Sequence, residues 1–455
     1  MSHDKVPSLP EVHRTVNIPD GAGFWRKMLA YAGPGYLVSV GYMDPGNWAT
    51  DLAGGASFGY LLLSVILLSN LVAILLQALC VKLGVATGRD LAQSCRDNFS
   101  PRINFVLWLL CEIAISACDL AELVGSAIAL QLLFRIPLAI GVCITALDIF
   151  IILFLQHKGF RYIEALVIAI ITIIGGCFIA ELSFARPDVI AVFQGFIPQV
   201  EVVRNPKALY IAIGILGATV MPHNLYLHSA IVQTRNIQET PEKKREAIQF
   251  GILDSTIALS LALFINAAIL ILAATTFHRS GYQDVAEIKD AYKLLSPVLG
   301  VAPASTIFAI ALLASGQNST LTATMAGQIV MEGFLKIRLK PWIRRLLTRL
   351  VAIVPALLTI IIFGEDSTTK LLIFSQVILS LQLSFAVIPL IMFTSDRRLM
   401  GEFVNPVWLK VLAYAAATII IVLNTWLLIQ TFLGWITPIL TSMVISLPWT
   451  MLGRA

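Results

Sequence analysis

Two short polar interruptions inside apolar stretches contain the residues best suited to chemistry. One is GYMDPGN at residues 41–47, and the other is TVMPHN at residues 219–224; in each, a proline stands two residues before an asparagine. A proline in a membrane helix leaves one backbone carbonyl without an N–H partner, which lipid cannot replace but a bound cation can. Paired breaks in the two halves of a chain are typical of the binding site of a secondary transporter.

The two interruptions supply a mixed set of ligand atoms. Asp44 offers a carboxylate and Asn47 an amide oxygen, while the turn that begins near Ala218 should free further backbone carbonyls. Met221 adds a thioether sulfur. A charge within the membrane costs about 3 kcal/mol or more, so Asp44 is a functional candidate. One negative charge, several neutral oxygens and one soft sulfur favour a divalent first-row metal ion.

The sulfur of Met221 is the atom that discriminates between metals. Calcium and magnesium take oxygen ligands, whereas manganese, iron, cobalt and cadmium tolerate or prefer a softer donor. The alternative is that Met221 only packs, as most membrane methionines do. Its place beside a proline, with a second broken helix that carries an aspartate, favours a role as a ligand.

The composition shows which elements must position these residues. The chain has 455 residues, of which 58% are hydrophobic and only 13% are charged, so it belongs in a bilayer and leaves no room for a large soluble domain. Apolar runs long enough to cross about 30 Å of hydrocarbon recur throughout. We predict eleven spans, with 435–452 as a possible short twelfth: 30–56 (broken), 59–81, 103–132, 137–155, 162–183, 208–234 (broken), 247–277, 297–333, 347–363, 370–394 and 407–432.

The positions of lysine and arginine predict the orientation, because basic loops resist translocation. With the N-terminus in the cytoplasm, most of the 32 basic residues fall in segments on the cytoplasmic side. This bias explains the net charge of +5, so no nucleic-acid partner is needed. Residues 1–26 are polar and lack the apolar core of a signal peptide, which predicts a flexible cytoplasmic tail.

Three carboxylates in the third span could move protons. Glu112, Asp119 and Glu122 are separated by seven and three residues, so they share one face of a helix. Ionisable groups inside a span are costly unless protons or cations accompany them. The alternative is that Asp119 and Glu122 form a buried ion-pair network with Arg349, at the start of the ninth span, that only fixes the helices.

Two histidines lie just beyond the second break. His223 and His228 are five residues apart in the sixth span. A metal ion and a proton would compete for the carboxylate of Asp44, and the displaced proton could pass through His228, or through Asp119 and Glu122, toward the cytoplasm. For His223 a packing role is the alternative, since lone histidines in membrane helices often only make hydrogen bonds.

Four sequence regions resemble one known family. They are GYMDPGNWATDLAGG at 41–55, MPHNLYLHS at 221–229, the region from ASGQNST to GQIVMEG at 314–333, and SQVILSLQLSF at 375–385. They lie in order across nearly the whole chain and resemble the Nramp (natural resistance-associated macrophage protein) family of divalent metal transporters, whose bacterial members are proton-coupled manganese importers.

The resemblance implies an all-α, multi-spanning membrane protein of the LeuT type. Its two inverted five-helix repeats, with broken first and sixth helices, would occupy 27–183 and 207–394; an extracellular loop would lie at 184–206, and an eleventh helix with the C-terminal segment at 395–455. The same likeness implies that the metal ligands are Asp44, Asn47, the carbonyl of Ala218, Met221 and Gln376.

The resemblance also implies a function. We expect import of manganese, and also of iron, cobalt and cadmium, coupled to protons, across a prokaryotic plasma membrane. We expect no resident cofactor and no obligate protein partner; the metal is the transported substrate.

Other classes of function remain to be weighed. A channel would normally build its pore by oligomeric symmetry, whereas the paired breaks here lie in one chain. An intramembrane enzyme lacks support, because there is no HExxH or GxSxG motif and no second aspartate motif to pair with Asp44. A sodium-coupled amino-acid carrier would suffer repulsion between Asp44 and a substrate carboxylate. A magnesium-selective relative would gain nothing from Met221.

Overall fold

The chain is almost entirely α-helical in a computed structural model, which describes residues 7–145, 147, 159–282, 287–337, 340–364 and 368–445. Side chains are described as far as residue 430, apart from those of residues 341, 342, 344, 345 and 363. The described strands are one parallel pair, β1 (Val16–Asn17) and β2 (Arg235–Asn236). The prediction of an all-α membrane protein is confirmed.

The first half of the chain contains one broken helix and a series of continuous ones. Its described helices are α1 (Phe24–Tyr31), α2 (Pro34–Gly41), α3 (Pro45–Phe58), α4 (Leu63–Thr87), α5 (Leu91–Asn98), α6 (Pro101–Phe134), α7 (Leu138–Thr145), α8 (Phe160–Ala185), α9 (Val189–Gly195) and α10 (Glu201–Arg204).

The second half begins with another broken helix. Its described helices are α11 (Pro206–Thr219), α12 (Pro222–Ile231), α13 (Pro241–Ala273) with a π-helical turn at Ala274–His278, α14 (Ile288–Leu299), α15 (Ala304–Leu335), α16 (Pro341–Phe363), α17 (Thr368–Ser395), α18 (Arg397–Met400) and α19 (Val407–Ile445). A 3₁₀ turn at Val232–Thr234 connects α12 to β2.

The helices agree well with the predicted spans. Among the described residues, seven helices are long and apolar enough to cross a membrane, and Leu346–Ile362 is a shorter apolar stretch. The predicted fourth span, 137–155, is described only over α7 and residue 147. The proposed twelfth span does not separate from the eleventh within the described chain, because α19 continues unbroken to Ile445.

Proline positions explain where the two broken helices restart. Pro45 and Pro222 each occupy the first position of the new helix, where a missing N–H costs nothing. Asp44 caps α3 by accepting a hydrogen bond from the N–H of Asn47, whereas Met221 precedes α12 without a side-chain cap. Both breaks therefore lie where the proline pattern predicts them.

A group of charged residues fixes the start of the first broken helix. The N–H groups of Gly33 and Gly35 donate to the carboxylate of Asp254, at 3.2 and 2.7 Å. Arg235 donates to the carbonyls of Tyr31 and Ala32, which end α1, and pairs with Glu164 at 2.6 Å. These contacts satisfy the helix ends that meet at this bend.

The N-terminal residues differ from the expected flexible tail. From Ser8 to Asn17 they lie against the helices, with Ser8, Leu9 and Val16 buried. The segment is polar, but its polar groups find partners on α5, α15 and β2, and Leu9 joins the main apolar core. The polar composition predicts a solvated tail, because the partners that bury this segment are distant in sequence and no local pattern reveals them.

Candidate metal site

The first break holds a buried carboxylate with one oxygen still open. The N–H of Asn47 donates to Asp44 Oδ1 at 2.8 Å, while Asp44 Oδ2 has no hydrogen-bond partner among the described residues. Asn47 Nδ2 donates to the carbonyl of Tyr42 at 2.6 Å, which leaves Asn47 Oδ1 without a partner as well. Two oxygen acceptors are thus fully buried and available to a cation.

The second break contributes sulfur and backbone oxygen. Met221 is completely buried and packs with Ala114 and Cys118 of α6. Ala218, also fully buried, lies four residues before Pro222, which has no N–H to donate to the Ala218 carbonyl. The arrangement therefore offers a thioether and a free carbonyl at one helix break.

The two breaks face each other closely. A methyl group added to Gly41 would lie 3.2 Å from the sulfur of Met221 and 2.3 Å from Nδ2 of Asn224. Only a glycine lets the end of α2 approach the second break this closely. The sulfur therefore lies beside the backbone that leads into Asp44.

Gln376 of α17 joins both breaks. A methyl group on Gly46 would lie 1.7 Å from Gln376 Nε2, and one on Gly217 would lie 2.4 Å from the Gln376 carbonyl. Gln376 Nε2 donates to Ser375 Oγ at 3.1 Å, while Oε1 has no partner among the described residues. All five residues of the expected ligand set are thus buried around the two breaks.

Gly41, at the end of α2, is a residue beside both breaks that the sequence analysis did not single out. Its carbonyl stands four residues before Pro45, in the same relation as Ala218 to Pro222. Because Pro45 lacks an N–H, the carbonyl of Gly41 is also freed. The signal was present in the sequence, since counting four residues back from each proline finds both carbonyls.

Three other missed residues hold the first break in shape. Asn266 Nδ2 of α13 donates to the carbonyl of Tyr42 at 2.7 Å, and the hydroxyl of Ser315 on α15 donates to the carbonyl of Met43. Gln77 Nε2 of α4 donates to the hydroxyl of Tyr42 at 2.7 Å. These partners are distant in sequence, and no local pattern indicates them.

Two of the expected proton-pathway carboxylates lie together with the arginine. Arg349 Nη2 is 3.6 Å from Glu122 Oε2, and Nη1 is 4.0 Å from Asp119 Oδ1. The hydroxyls of Ser319 and Thr320 each donate to Glu122 at 2.9 Å. All five residues are buried. The charge of Arg349 and the two hydroxyl donors compensate for the cost of burying the carboxylates.

Cys118 lies between the second break and these carboxylates in the packing of the helices. It belongs to one apolar cluster with Met221, and its sulfur lies 3.6 Å from Glu122 Oε1. Glu112 lies earlier in α6 and is half-buried. It lines a cavity of about 630 Å³ between α6, α15 and α16, together with Trp108 and Thr348.

The two histidines differ in their surroundings. His228 Nδ1 lies 2.9 Å from Gln77 Oε1 and is thereby connected to Tyr42 near the first break. His223 is equally buried, but neither of its ring nitrogens has a partner among the described residues. The structure therefore links His228, and not His223, to the first break through hydrogen bonds.

The expected ligand set contains one charged side chain, that of Asp44. Among the described residues, no group of three or more histidine, cysteine, aspartate or glutamate side chains could hold a metal ion. One carboxylate with neutral oxygens and a thioether gives fewer charges than such a group would.

Comparisons with known proteins identify the family of the chain. The family model for natural resistance-associated macrophage protein-like (Nramp) proteins matches residues 35–430. The divalent metal cation transporter MntH of Nostoc sp. is 72% identical over 430 residues, which cover 94% of this chain and 97% of that protein.

Solved structures show the same fold. The manganese transporter of Eremococcus coleocola, in complex with an aromatic bis-isothiourea substituted compound, has a TM-score of 0.89 at 42% identity and covers 97% of this chain and 95% of its own. Mhp1, a nucleobase-cation-symport-1 family transporter in a closed conformation, has a TM-score of 0.59 at 14% identity and covers 94% and 95%, a likeness of fold alone. The fold is the predicted LeuT type. Because the family model spans most of the sequence, the chain belongs to the Nramp family.

Proposed function

We propose that the protein imports divalent transition-metal ions, manganese as well as iron, cobalt and cadmium, together with protons by alternating access. The similar proteins are named as a divalent metal cation transporter and a manganese transporter, which supports transport and not catalysis. From the bias of basic residues we infer a cytoplasmic N-terminus, in a plasma membrane.

One observation carries the proposal. Three buried acceptor atoms that have no hydrogen-bond partner among the described residues lie around the same pair of helix breaks: Asp44 Oδ2, Asn47 Oδ1 and Gln376 Oε1. Buried polar atoms without partners are expensive, and a dehydrated cation at this point would satisfy them together. The sulfur of Met221 beside Gly41 gives such a site its preference for transition metals over calcium and magnesium.

Proton coupling follows from competition at Asp44. A metal ion that reaches the carboxylate competes directly with a proton for the same oxygen. Cys118 belongs to the same apolar cluster as Met221, and its sulfur lies 3.6 Å from Glu122. Glu122 and Asp119 are therefore the carboxylates we assign to the uptake of the displaced proton, with Arg349 as their counter-charge. The hydrogen bonds from Tyr42 through Gln77 to His228 offer a second route.

The alternatives have less support from the site. The carboxylate of Asp44 would repel the carboxylate of an amino acid, and a magnesium carrier would not use the sulfur of Met221. Each rival can be tested in the same assay, by competition with free amino acids or with magnesium.

The experiment is manganese uptake into proteoliposomes that contain purified protein and an internal pH dye, at two external pH values. We expect saturable uptake that increases as the external pH falls, with acidification of the interior. Saturable uptake without proton entry would leave the metal site standing and overturn the coupling. No manganese uptake would overturn the proposed function.

A further inference from the structure

The N-terminal strap, residues 8–17, is attached at one end to α5 and α15. The hydroxyl of Ser8 donates to Asp90 Oδ2 at 2.7 Å, and the N–H of Leu9 donates to Glu332 Oε2 at 3.3 Å. Gln328 Nε2 donates to Glu11 at 3.1 Å and to Glu332 at 2.9 Å. Three of these hydrogen bonds join the strap to the two helices, and the fourth, between Gln328 and Glu332, lies within α15 and holds the acceptor of the Leu9 N–H.

The other end of the strap is attached to the segment that follows α12. The N–H of Arg14 donates to the carbonyl of Gln233 at 3.0 Å, and the Arg14 side chain pairs with Glu239. Strand β1 then pairs with β2, in register at Val16 and Arg235. The strap therefore connects α15 with the helix that begins at the second break.

Below the strap, α12 is in contact with α15 and α5. The rings of Tyr226 on α12 and Phe334 on α15 lie 5.6 Å apart, centre to centre. The N–H of Leu91 on α5 donates to the hydroxyl of Ser229 on α12 at 2.9 Å. These contacts close the seam between α12, α15 and α5 at the end of the molecule where the N-terminus lies.

The strap is seated firmly but under strain. Leu9 is only 5% exposed and belongs to the main apolar core, yet its φ of 54° is in the left-handed region, as is the φ of 56° at Arg14. Such a conformation is unfavourable for a branched side chain and persists only where surrounding contacts enforce it. Burial raises the pKa of Asp90 to about 6, even though Gln93, Ser8 and Arg96 favour its charged form. The docked strap therefore holds two residues in an unfavourable conformation and keeps the Asp90 carboxylate buried. Release of the strap relieves both costs.

We propose that the N-terminal strap is an inner lid, which must detach from α5 and α15 before metal can leave toward the cytoplasm. The inference rests on the proposed function for its direction, since metal from the two breaks would pass along α12. When the seam between α12 and α15 opens, the two ends of the strap must separate. The α5 and α15 end is held by one buried leucine and side-chain hydrogen bonds, while the other end is held by strand pairing and an ion pair, so the first end releases.

The test uses a native reporter, Cys95. This buried thiol lies on α5, the helix capped by Asp90, and it belongs to the same apolar cluster as Leu9 of the strap. We would label purified full-length protein in lipid nanodiscs with N-ethylmaleimide and measure modification at Cys95 by mass spectrometry. Cys80, buried in α4, reports global unfolding because it should stay unlabelled in any folded variant.

The informative variant is Leu9→Asp, which places a charge in an apolar pocket near Glu332 while altering no helix. The matched control is Thr15→Asp, which adds the same charge to an exposed position of the strap. We expect Cys95 in Leu9→Asp to react about tenfold faster than in the wild type, because the docked strap loses the burial of one leucine. Thr15→Asp should react at the wild-type rate.

The outcomes separate the lid from the transport function. If Cys95 in Leu9→Asp reacts no faster than in Thr15→Asp, the proposal of a lid is wrong, whether or not the protein takes up manganese. If Cys80 also reacts, Leu9→Asp has lost its fold, and the milder variant Ser8→Ala replaces it. A faster modification of Cys95 alone in Ser8→Ala supports the lid, whereas an unchanged rate overturns it. Wild-type protein that fails to take up manganese would overturn the proposed function, while the labelling would still report the strap.

Discussion

The two helix breaks share a proline and an asparagine but are held in different ways. The first break is fixed from outside, because Asn266 and Ser315 donate to the carbonyls of Tyr42 and Met43. It also has internal hydrogen bonds between Asp44, Asn47 and Tyr42. The charged ligand therefore lies on a rigid turn.

The second break has few such contacts. Thr219 Oγ1, both nitrogens of His223 and Oδ1 of Asn224 have no hydrogen-bond partner among the described residues. The Met221 side chain lies in an apolar cluster that includes Cys118. The comparison suggests a division of tasks, in which the first break fixes the charge while the second is freer to rearrange and supplies the selective sulfur.

The largest effect should come from removing the charge of the first break. Asp44→Ala should weaken manganese binding by at least about a hundredfold, or about 2.7 kcal/mol, because no other carboxylate is part of the ligand set. Isothermal titration calorimetry with manganese would measure this loss. Asp51→Asn, which removes a neighbouring buried carboxylate of α3, is the control and should bind manganese nearly as the wild type does. Binding that survives in Asp44→Ala would place the site elsewhere.

Glu122→Gln tests whether the first break passes its proton to α6. We expect proton entry to fall by about tenfold, within the range for coupled sites, while manganese uptake continues, because glutamine keeps the shape and the hydrogen-bonding capacity near Ser319 and Thr320. Proteoliposomes with an internal pH dye would measure both fluxes.

A purely structural role for Glu122 predicts another result. Breaking a buried ion pair by removing one partner costs about 3–5 kcal/mol, so thermal stability would drop and both fluxes would fall together. Equal losses of proton and metal transport, with a lower melting temperature, would therefore contradict the proton pathway.

Met221→Ala tests the task assigned to the second break. The protein should remain folded and still admit manganese, but calcium should compete about fivefold better, which corresponds to about 1 kcal/mol of discrimination. Inhibition of manganese uptake by calcium and by magnesium measures this change. Competition equal to that in the wild type would mean that Met221 only packs.

The smallest expected effects are changes in stability when one polar group at each break is replaced. Asn266→Ala removes a hydrogen bond to the first break and should lower the free energy of unfolding by about 1 kcal/mol. Thr219→Val changes a hydroxyl without a partner at the second break and should leave stability unchanged or slightly higher. Thermal unfolding in one detergent would compare them, and equal destabilisation would contradict the difference in rigidity.

Local patterns were sufficient to predict much of the fold. Long apolar runs and the prolines at 45 and 222 depend only on neighbouring residues, so the helices and both breaks could be read from the sequence. The family and the LeuT-type fold are confirmed. The ligand set stays a prediction, although the structure gathers its five residues around the breaks.

Contacts between distant segments could not be predicted in this way. Asn266 is 224 positions from Tyr42, and Glu332 is 323 positions from Leu9, so no periodicity connects them. The N-terminal strap was read as a flexible tail because its composition is polar. Arg235 is likewise buried and joins the end of α1 to Glu164, which lies 71 positions away in the sequence.

The most direct test of the central claim is anomalous X-ray scattering from crystals of the protein soaked in manganese. The account predicts one strong peak between the two breaks, in contact with the Asp44 carboxylate and the Met221 sulfur, and its loss in Asp44→Ala crystals. A peak that contacts Asp44 but not the second break, or one at another place in the helices, would contradict a shared site formed by both breaks.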